Sequence, residues 1–381
     1  MKSVRKLLIE SILLVYVFLQ VSTNILAISK VDALVNKILI LMLILIAIIL
    51  IFSIPELIKN ELSVLYLFIA IGLTFAATRN NFSNIIYLFW MPLLCLPLGL
   101  QQTIKIDLLA RCVAVFGAVF LSLTSIIETG EFYTSSGAVR NSLGFSNPNG
   151  ASEMLLIIML ESFIIYKNRI SKLNLIMFLT TLIINVLLLK SRTTLLLYLL
   201  FVGMIIVVNK RKDANGKTDS LKFILGLVPI ILMGAAYLSA KLFIMHPSNE
   251  WIQNINLLTS GRLRYAAYYL NQFGIHAFGN EIITQYQFGT SVVNYGSLDN
   301  GYLSLLLKFG YVTAIAFIFG YTILIRKIVS HDFLYLLPYV LIWLVLGLSE
   351  TTFYYGSYNI TGYFFVILIF NTTKGKINGI R

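Results

Sequence analysis

Apolar residues in this chain are grouped in stretches of roughly 20 residues, separated by short polar segments. An α-helix of that length crosses the hydrocarbon core of a bilayer and satisfies its backbone hydrogen bonds internally. The pattern therefore predicts an all-α, polytopic integral membrane protein with about 12 transmembrane helices. The predicted spans are Leu7–Ile28, Ile38–Ile54, Leu62–Ala77, Ser83–Leu100, Ile106–Ile127, Gly150–Tyr166, Lys172–Leu189, Thr193–Val208, Leu221–Ile244, Gly301–Ile325, Phe333–Leu348 and Asn359–Phe370.

One polar segment is much longer than the others. Residues 245–300, between the ninth and tenth spans, are rich in tyrosine and in polar side chains. We expect them to form an extracellular loop subdomain with short helices, attached to a single transmembrane domain made of residues 1–381. The loop Asn209–Ser220 is too short for more than a solvated connection.

The composition agrees with a membrane protein, since 58% of the residues are hydrophobic and only 12% are charged. With the N-terminus inside the cell, eighteen of the 29 Lys and Arg residues fall on the inner side and ten on the outer side. This bias predicts a protein of the cell membrane with both termini in the cytoplasm. It also assigns most of the net charge of +13 to contact with anionic lipid, so no nucleic-acid partner is implied.

The sequence shows no motif for metal or nucleotide chemistry. Cys95 and Cys112 both fall within apolar spans, and the three histidines lack the spacing of a zinc site. Neither a phosphate-binding GxxxxGKS/T sequence nor an Asp-x-Asp pair is present. If the protein is an enzyme, we expect it to work without a metal or any other cofactor.

Polar residues at the predicted outer ends of helices are the candidates for a functional site, because ionisable groups at membrane depth are costly. In the segment Arg140–Gly150, Asn147 followed by Pro148 predicts a capped helix start. Arg140 and Asn149 are not explained by capping. An arginine beside the free N–H groups of a helix start is suited to bind an anion.

Arg192 opens the eighth span, in the turn Lys190–Thr193. A cation at a helix N-terminus is disfavoured by about 0.3–1 kcal/mol, and a bound anion would relieve that cost. Lys190 is accounted for by its place at the interface between lipid and water.

In the long loop, Ser260–Gly274 predicts a short helix that Ser260 caps and Gly274 ends. Aromatic residues on one face of it are typical of an amphipathic helix at the membrane interface. They also offer flat surfaces for sugar rings, while two arginines can hold a diphosphate with paired N–H groups. The residues concerned are Arg262, Arg264, Tyr265, Tyr268, Tyr269 and Phe273.

Two carboxylates complete the set. Asp299 precedes the tenth span, where it is either an N-cap or a functional group. Glu350 follows the eleventh span, where a carboxylate meets the negative end of the helix dipole. Glu350 is suited to pair with an outer arginine or to accept a proton from an attacking hydroxyl.

Five of these segments, in their order along the chain, resemble the motifs of the Wzy polysaccharide polymerases, which are relatives of the O-antigen ligases. The segments are Gly144–Asn149, Ser191–Thr193, Ser260–Arg262, Asp299–Leu303 followed by Gly310, and Gly347–Glu350. The resemblance implies a membrane glycosyltransferase of the GT-C-like fold. Such an enzyme joins oligosaccharide repeat units carried on undecaprenyl diphosphate at the outer face of the membrane, without metal, into capsule, exopolysaccharide or O-antigen.

The resemblance also implies roles for individual residues. In the related ligases, arginines bind the lipid diphosphate and a histidine in the long loop assists the acceptor hydroxyl. Arg192 and Arg262 match the family's arginines by position, whereas Asp299 stands where the histidine is common. Asp299 is therefore the first choice for the general base, with His276 or Glu350 as substitutes.

We accordingly expect four arginines to bind the diphosphate: Arg192, Arg262, Arg264 and Arg140. The expected contacts to the sugars are Asn147, Asn149, Tyr265, Tyr268, Asn300 and Tyr302. The expected partners are the undecaprenyl-diphosphate-linked oligosaccharide as donor and acceptor, the bilayer, a chain-length regulator and a flippase.

Two other interpretations stay open. A flippase or transporter also fits twelve helices with both ends inside, although the sequence shows neither an obvious internal repeat nor a row of charges at helix centres. A ligase or acyltransferase that acts on a different acceptor would use the same catalytic groups.

Overall fold

The computed structural model describes residues 2–23, 84–127, 131–133, 137, 139–166, 171–212, 218–282, 285–288, 291–294, 298–330, 333–356 and 358–372, with scattered positions between 37 and 74. Most of these residues are helical, and the strands described form two short antiparallel hairpins. The elements in chain order are α1 (Lys2–Ser22), α2 (Asn84–Leu94), α3 (Leu100–Leu123), β1 (Glu131–Tyr133), β2 (Val139–Asn141), α4 (Pro148–Ile165), α5 (Lys172–Ile184) with a π-helical turn (Asn185–Leu189), α6 (Arg192–Lys212), α7 (Thr218–Gly226), α8 (Val228–Met245), α9 (Glu250–Leu258), α10 (Arg262–Phe273), β3 (Gln285–Phe288), β4 (Ser291–Asn294), α11 (Gly301–Ser330), a 3-10 turn (Leu334–Leu336), α12 (Leu337–Leu346), a second 3-10 turn (Thr351–Tyr354) and α13 (Thr361–Thr372).

Among the residues described, six helical segments are long and apolar enough to cross a membrane. They are Leu100–Leu123, Pro148–Ile165, Lys172–Leu189, Arg192–Asn209, Leu221–Met245 and Gly301–Ser330. The predicted helical membrane protein is thereby confirmed in its class, while the count of twelve and the orientation stay predictions. The predicted spans Ile38–Ile54 and Leu62–Ala77 lie largely outside the described residues.

Some predicted boundaries are wrong. The fourth span was expected to end at Leu100, but α2 ends at Leu94. The fifth span was expected to begin at Ile106, but α3 begins at Leu100. Its first turns carry Gln101, Gln102 and Lys105, which a hydropathy pattern excludes from a span although they are good helix formers.

The chain divides into two compact units. The first contains Met1–Ser63, Trp90–Asn215 and Gly362–Arg381, and the second contains Val64–Phe89 and Gly216–Thr361. The predicted loop subdomain, residues 245–300, falls within the second unit.

In the first unit, α3 packs against α1 and α4, and α4 also packs against α5 and α6. α4 is buried along nearly its whole length, which explains why its sequence is apolar on every side. The polar residues buried with it include Ser152, Glu161 and Ser162. Polar groups in such an interior require partners inside the protein.

In the second unit, α8 packs against α10 and α11, and α7 packs against α11. α7 and α8 are separated at Leu227, and Pro229 lies in the first turn of α8, where its missing N–H is not needed. The helix α10 packs against the membrane-spanning helices α8 and α11 and against α9 of the long loop.

The helix α11 is interrupted at Gly310, whose backbone takes a left-handed φ of 84° with ψ of 170°. Residues 276–280 cross this break, and a Cβ on Gly310 would lie 2.2 Å from the carbonyl oxygen of Ala277. Glycine is required because the approach is between two backbones and the φ is positive. Three backbone hydrogen bonds join the segments: Tyr311 to His276 (3.0 Å), Val312 to Ala277 (3.3 Å) and Asn280 to Leu307 (2.8 Å).

Candidate functional site

Arg262 is the centre of a charged cluster in the second unit. Its Nε lies 3.3 Å from Oδ2 of Asp299, and its Nη2 donates to Oε1 of Glu350 at 2.9 Å. Its Nη1 donates to the carbonyl of Ser349. The side chains are partly buried, with 21% of Arg262, 30% of Asp299 and 12% of Glu350 exposed. The cluster joins three segments that the sequence singled out, and Arg262 and Glu350 are 88 residues apart in the chain.

The charges of this cluster do not balance, since two carboxylates face one guanidinium. All three guanidinium nitrogens of Arg262 have protein acceptors, and such a fork of bonds holds the side chain in one orientation. Asp299 is the more exposed of the two carboxylates, so it is the better placed to meet a solute.

The start of α11 determines which side chain is available to Arg262. Asn300 caps the helix, because its Oδ1 accepts the N–H of Leu303 at 3.0 Å. The N-cap interpretation of Asp299 is therefore wrong, and its carboxylate is directed to Arg262 instead. Asn300 has a structural bond here, and its predicted contact to a sugar stays a prediction.

Gly301 allows Glu350 to approach the start of α11. Its N–H donates to the carbonyl of Gly347 at 2.9 Å. A Cβ at this position would lie 2.5 Å from the carbonyl oxygen of Glu350 and 2.4 Å from the ring of Phe353. The next residue, Tyr302, is fully buried. The glycine is thus needed for the close contact that brings Glu350 to the cluster.

Tyr302 has a partner inside the protein. Its hydroxyl donates to the carbonyl of Leu344 at 2.7 Å, close to the C-terminal end of α12, where carbonyls lack helical partners. The tilted ring of Phe353 packs on it at 4.8 Å between centroids. A sugar contact by Tyr302 remains a prediction.

The helix α10 presents Arg262 at its first position. Gly274 ends it as predicted, but the predicted cap by Ser260 is wrong, since Gly261 occupies the N-cap position with a left-handed φ of 81°. The side chain of Asn256 takes over the capping role and accepts the N–H of Arg264 at 2.9 Å. A residue from the preceding helix α9 thus satisfies the helix start, which local sequence rules do not anticipate.

Arg264 is exposed, with its guanidinium carbon 5.2 Å from the ring centroid of Tyr265 and its Nη2 3.4 Å from that hydroxyl. Within the described part of the chain, its guanidinium has no other hydrogen-bond or ion-pair partner. Tyr268 is exposed, whereas Tyr269 is fully buried, so the predicted single aromatic face is divided. Burial, together with Tyr268 and Tyr265, raises the pKa of Tyr269, and its hydroxyl stays neutral at physiological pH.

His276, the alternative base, lies in the segment that crosses the break in α11. Its ring Nε2 is 3.1 Å from the carbonyl oxygen of Phe273, and its own carbonyl is held by Tyr311. The contacts described for His276 are therefore with backbone groups.

A second group of predicted residues lies in the first unit, around the start of α4. Asn147 caps α4 as predicted, accepting the N–H of Asn149 at 2.8 Å, with Pro148 in the first position. Arg140 on β2 donates from Nη2 to Oδ1 of Asn149 at 2.5 Å and from Nε to the carbonyl of Leu189 at 2.7 Å. The hairpin, α4 and the π-helical turn are thus connected through one arginine.

The start of α6 lies beside this connection. Lys190 adopts a left-handed conformation and donates from Nζ to the carbonyl of Val139 at 2.8 Å. The hydroxyls of Ser191 and Thr194 are 3.1 Å apart in the first turn. Arg192 is exposed at the first helical position, and among the residues described it has no hydrogen-bond or ion-pair partner. It is a positive charge at a positive helix end.

Asn185 in the π-helical turn explains how α6 is placed. Its Oδ1 accepts the hydroxyl of Ser152 at 2.6 Å and the N–H of Ser191 at 3.3 Å, and its Nδ2 donates to the Ser191 carbonyl at 3.2 Å. The sequence analysis did not single out Asn185 or Ser152, because nothing near an Asn or Ser in an apolar stretch indicates which residue it binds.

The predicted site residues therefore fall in two groups, one in each compact unit. The first unit holds Arg140, Asn147, Asn149 and Arg192, and the second holds Arg262, Arg264, Tyr265, Tyr268, Asp299, Asn300, Tyr302 and Glu350. Comparison with protein-family models, curated proteins and solved structures finds no match.

The structure also shows a charged group that the sequence reasoning missed. Asp107 and Arg111 on α3 meet Glu161 on α4 in the interior of the first unit. The signal was present in the sequence, since an aspartate and an arginine four residues apart in an apolar stretch lie on one helix face. No group of three or more His, Cys, Asp and Glu side chains suited to hold a metal occurs among the described residues.

Proposed function

We propose that this protein is a membrane glycosyltransferase that joins undecaprenyl-diphosphate-linked oligosaccharide repeat units into a surface polysaccharide, without metal, at the outer face of the cell membrane. The ordered motifs that resemble the Wzy polymerases support the proposal, and so do the six long apolar helices. The proposal includes twelve spans, both termini in the cytoplasm, and a chain-length regulator and a flippase as partners.

The observation that carries the proposal is the meeting of Arg262, Asp299 and Glu350. These residues come from three of the five motifs, and both carboxylates contact Arg262 directly. Transfer of a glycan from a diphosphate requires a proton acceptor for the attacking hydroxyl and positive charge for the leaving group. Carboxylates oriented by an arginine supply the first requirement.

The reaction forms one glycosidic bond and breaks the bond between the donor sugar and the diphosphate. A hydroxyl of the acceptor glycan attacks the anomeric carbon of the donor, and the bond from that carbon to the diphosphate oxygen breaks. Asp299, the more exposed carboxylate, takes the hydroxyl proton, and Glu350 holds Arg262 in place. The undecaprenyl diphosphate leaves with the electron pair and is stabilised by arginines.

The arginines differ in their readiness to bind a diphosphate. Arg192 and Arg264 are exposed, and Arg192 adds the N-terminal end of a helix dipole. Arg262 and Arg140 already donate guanidinium hydrogen bonds to protein acceptors. An anion must therefore bind next to those acceptors or displace them. Of the expected diphosphate ligands in the first unit, Arg192 is therefore the more accessible and Arg140 the supporting charge. In the second unit, Arg264 is the more accessible and Arg262 the supporting charge.

The proposal is tested with the purified full-length protein in liposomes and a synthetic lipid-linked repeat unit, with and without a chelator. The wild-type protein is expected to form polymer under both conditions, whereas Asp299→Asn and Arg192→Ala leave single lipid-linked units. Lys190→Ala removes a positive charge two residues from Arg192 and is the matched control, with normal polymer expected. Loss of polymer on chelation, or normal polymer from Asp299→Asn, contradicts the mechanism.

A second candidate, a flippase or transporter, gains support from one observation. Asp107, Arg111 and Glu161 are ionisable groups inside membrane-spanning helices, which is where transporters place functional residues. Deletion in cells distinguishes the candidates. Single repeat units that accumulate on the outer face of the membrane indicate a polymerase, those on the inner face indicate a flippase, and full-length glycan left on the lipid carrier indicates a ligase.

A further inference from the structure

Three ionisable side chains meet in the interior of the first unit, at a distance from the polar residues at the start of α4. Arg111 Nε donates to Oδ1 of Asp107 and, at 3.2 Å, to Oε1 of Glu161. At most 1% of each side chain is exposed. Glu161 lies twelve residues after Asn149 on α4, about 18 Å along the helix axis, so this triad is separate from the residues assigned to sugar chemistry.

The triad carries one negative charge too many if both carboxyl groups are ionised. Arg111 supplies a single positive charge, and one of its nitrogens is shared between the two carboxylates. Its Nη1 faces the sulfur of Met154 at 3.3 Å. A second uncompensated carboxylate in a low-dielectric interior has a large desolvation cost.

The outer oxygens of the two carboxyl groups give a second, independent indication. Oδ2 of Asp107 and Oε2 of Glu161 are buried and have no hydrogen-bond partner among the residues described. The two carboxyl groups are close neighbours, because each has an oxygen in contact with the same nitrogen of Arg111. Ionised carboxylates only accept hydrogen bonds, so a bond between them requires a proton on one of them.

Among the residues that the structure describes, the titratable groups near the triad do not supply a second positive charge. Cys95 faces Asp107, Cys112 faces Glu161, and Tyr363 faces both Asp107 and Arg111. All three are weak acids that are uncharged at physiological pH in their reference state. On α1, Glu10 pairs with Lys6 and with Gln102, and Tyr16 faces Tyr363.

We propose that Asp107 and Glu161 form a proton-binding site, in which the two carboxyl groups hold one proton between them and the triad with Arg111 is electrically neutral. The protonated carboxyl donates to the other, which satisfies one of the two outer oxygens and removes the excess charge. The site gives the membrane-spanning part of the chain a place to take up and release a single proton.

Infrared spectroscopy of the full-length protein in nanodiscs tests this proposal. A protonated carboxyl in a dry interior has a C=O stretching band distinct from that of carboxylates, and the wild-type protein is expected to show it at neutral pH. Either Asp107→Asn or Glu161→Gln removes the shared proton, so each single variant loses the band. Glu10→Gln, which changes a partly exposed carboxylate on α1, keeps it.

Thermal unfolding supplies a second measurement that does not depend on the infrared band. Each single variant leaves one carboxylate for one arginine, so its melting temperature is expected to stay close to that of the wild type. The double variant leaves a buried arginine alone and is expected to melt at a much lower temperature.

Three results would overturn the proposal. The first is the absence of the band in the wild type, and the second is failure of both single variants to fold while Glu10→Gln folds. The third is a melting temperature that rises with Na⁺ concentration at fixed pH in the wild type but not in Asp107→Asn. The last result would assign a monovalent cation to the site in place of a proton.

Discussion

Replacing Gly310 by alanine tests how the long loop is attached to the membrane-spanning helix α11. The residue has a φ of 84° and a ψ of 170°, a region that is essentially restricted to glycine and that costs an alanine about 1–3 kcal/mol. The added Cβ would lie 2.2 Å from the oxygen of Ala277 and 2.5 Å from the nitrogen of Gly279. Neither is the end of a flexible side chain, so residues 276–280 must move away from the break.

The magnitude follows from what that movement breaks. Three backbone hydrogen bonds cross the break, at 2.8, 3.0 and 3.3 Å, and each contributes about 0.5–1.5 kcal/mol. Together with the backbone strain, Gly310→Ala is expected to lower the free energy of unfolding by about 3–7 kcal/mol. Gly279→Ala meets the carbonyl of Lys308 at 2.0 Å and is expected to cost a similar amount, with little added in the double variant because both act on the same contact.

The assay is denaturant unfolding of the full-length protein in detergent micelles, with hydrogen exchange at the amides of Tyr311 and Val312. Gly234→Ala is the matched control, since Gly234 lies within α8 and a Cβ there meets no atom within 4 Å. We expect the control to be stabilised by about 0.5–1 kcal/mol. The reasoning is refuted if Gly310→Ala unfolds within about 1 kcal/mol of the wild type and both amides keep their protection.

Three further predictions concern side chains that the structure pairs. Arg262→Ala leaves two carboxylates without their partner, so it is expected to lower the free energy of unfolding by about 2–3 kcal/mol and to abolish polymer. Arg262→Lys is expected to restore part of the stability but not the paired geometry. Denaturant unfolding and gel analysis of the glycan measure these effects, and normal chain length in the alanine variant would contradict the assignment. Asn147→Ala is expected to cost about 1 kcal/mol through loss of the cap on α4, with Asn147→Asp keeping most of it, and an equal loss in both variants would speak against capping. Tyr302→Phe removes the bond to Leu344 and is expected to cost about 1 kcal/mol in unfolding experiments with polymer still formed, so an inactive but stable variant would instead favour a sugar contact.

The start of α4 shows what neighbouring residues determine. Asn147 and Pro148 predict its first turn, and the structure has the cap that they predict. The end of α10 at Gly274 was equally predictable. Both features depend on hydrogen bonds within four residues, so the sequence around them contains both partners.

The start of α10 shows where this reasoning fails. Ser260 is the expected cap by local rules, yet the side chain of Asn256 reaches over from α9 and accepts the N–H of Arg264. At the start of α11, Asn300 caps and Asp299 turns to Arg262. When two polar residues are adjacent at a helix start, tertiary contacts decide which of them caps the helix, because the other one binds a distant partner.

The apolar stretches of about 20 residues and the scarcity of charge are enough to predict a helical membrane protein, because a lipid solvent requires every backbone polar group to be paired within the chain. The pairing of Arg262 with Glu350 and of Arg111 with Glu161 could not be obtained in this way. Those contacts join residues 88 and 50 positions apart, and they exist only where tertiary packing brings distant segments together. Gly310 is the intermediate case, since its motif was visible in the sequence but its reason, a second backbone lying against it, belongs to the tertiary structure.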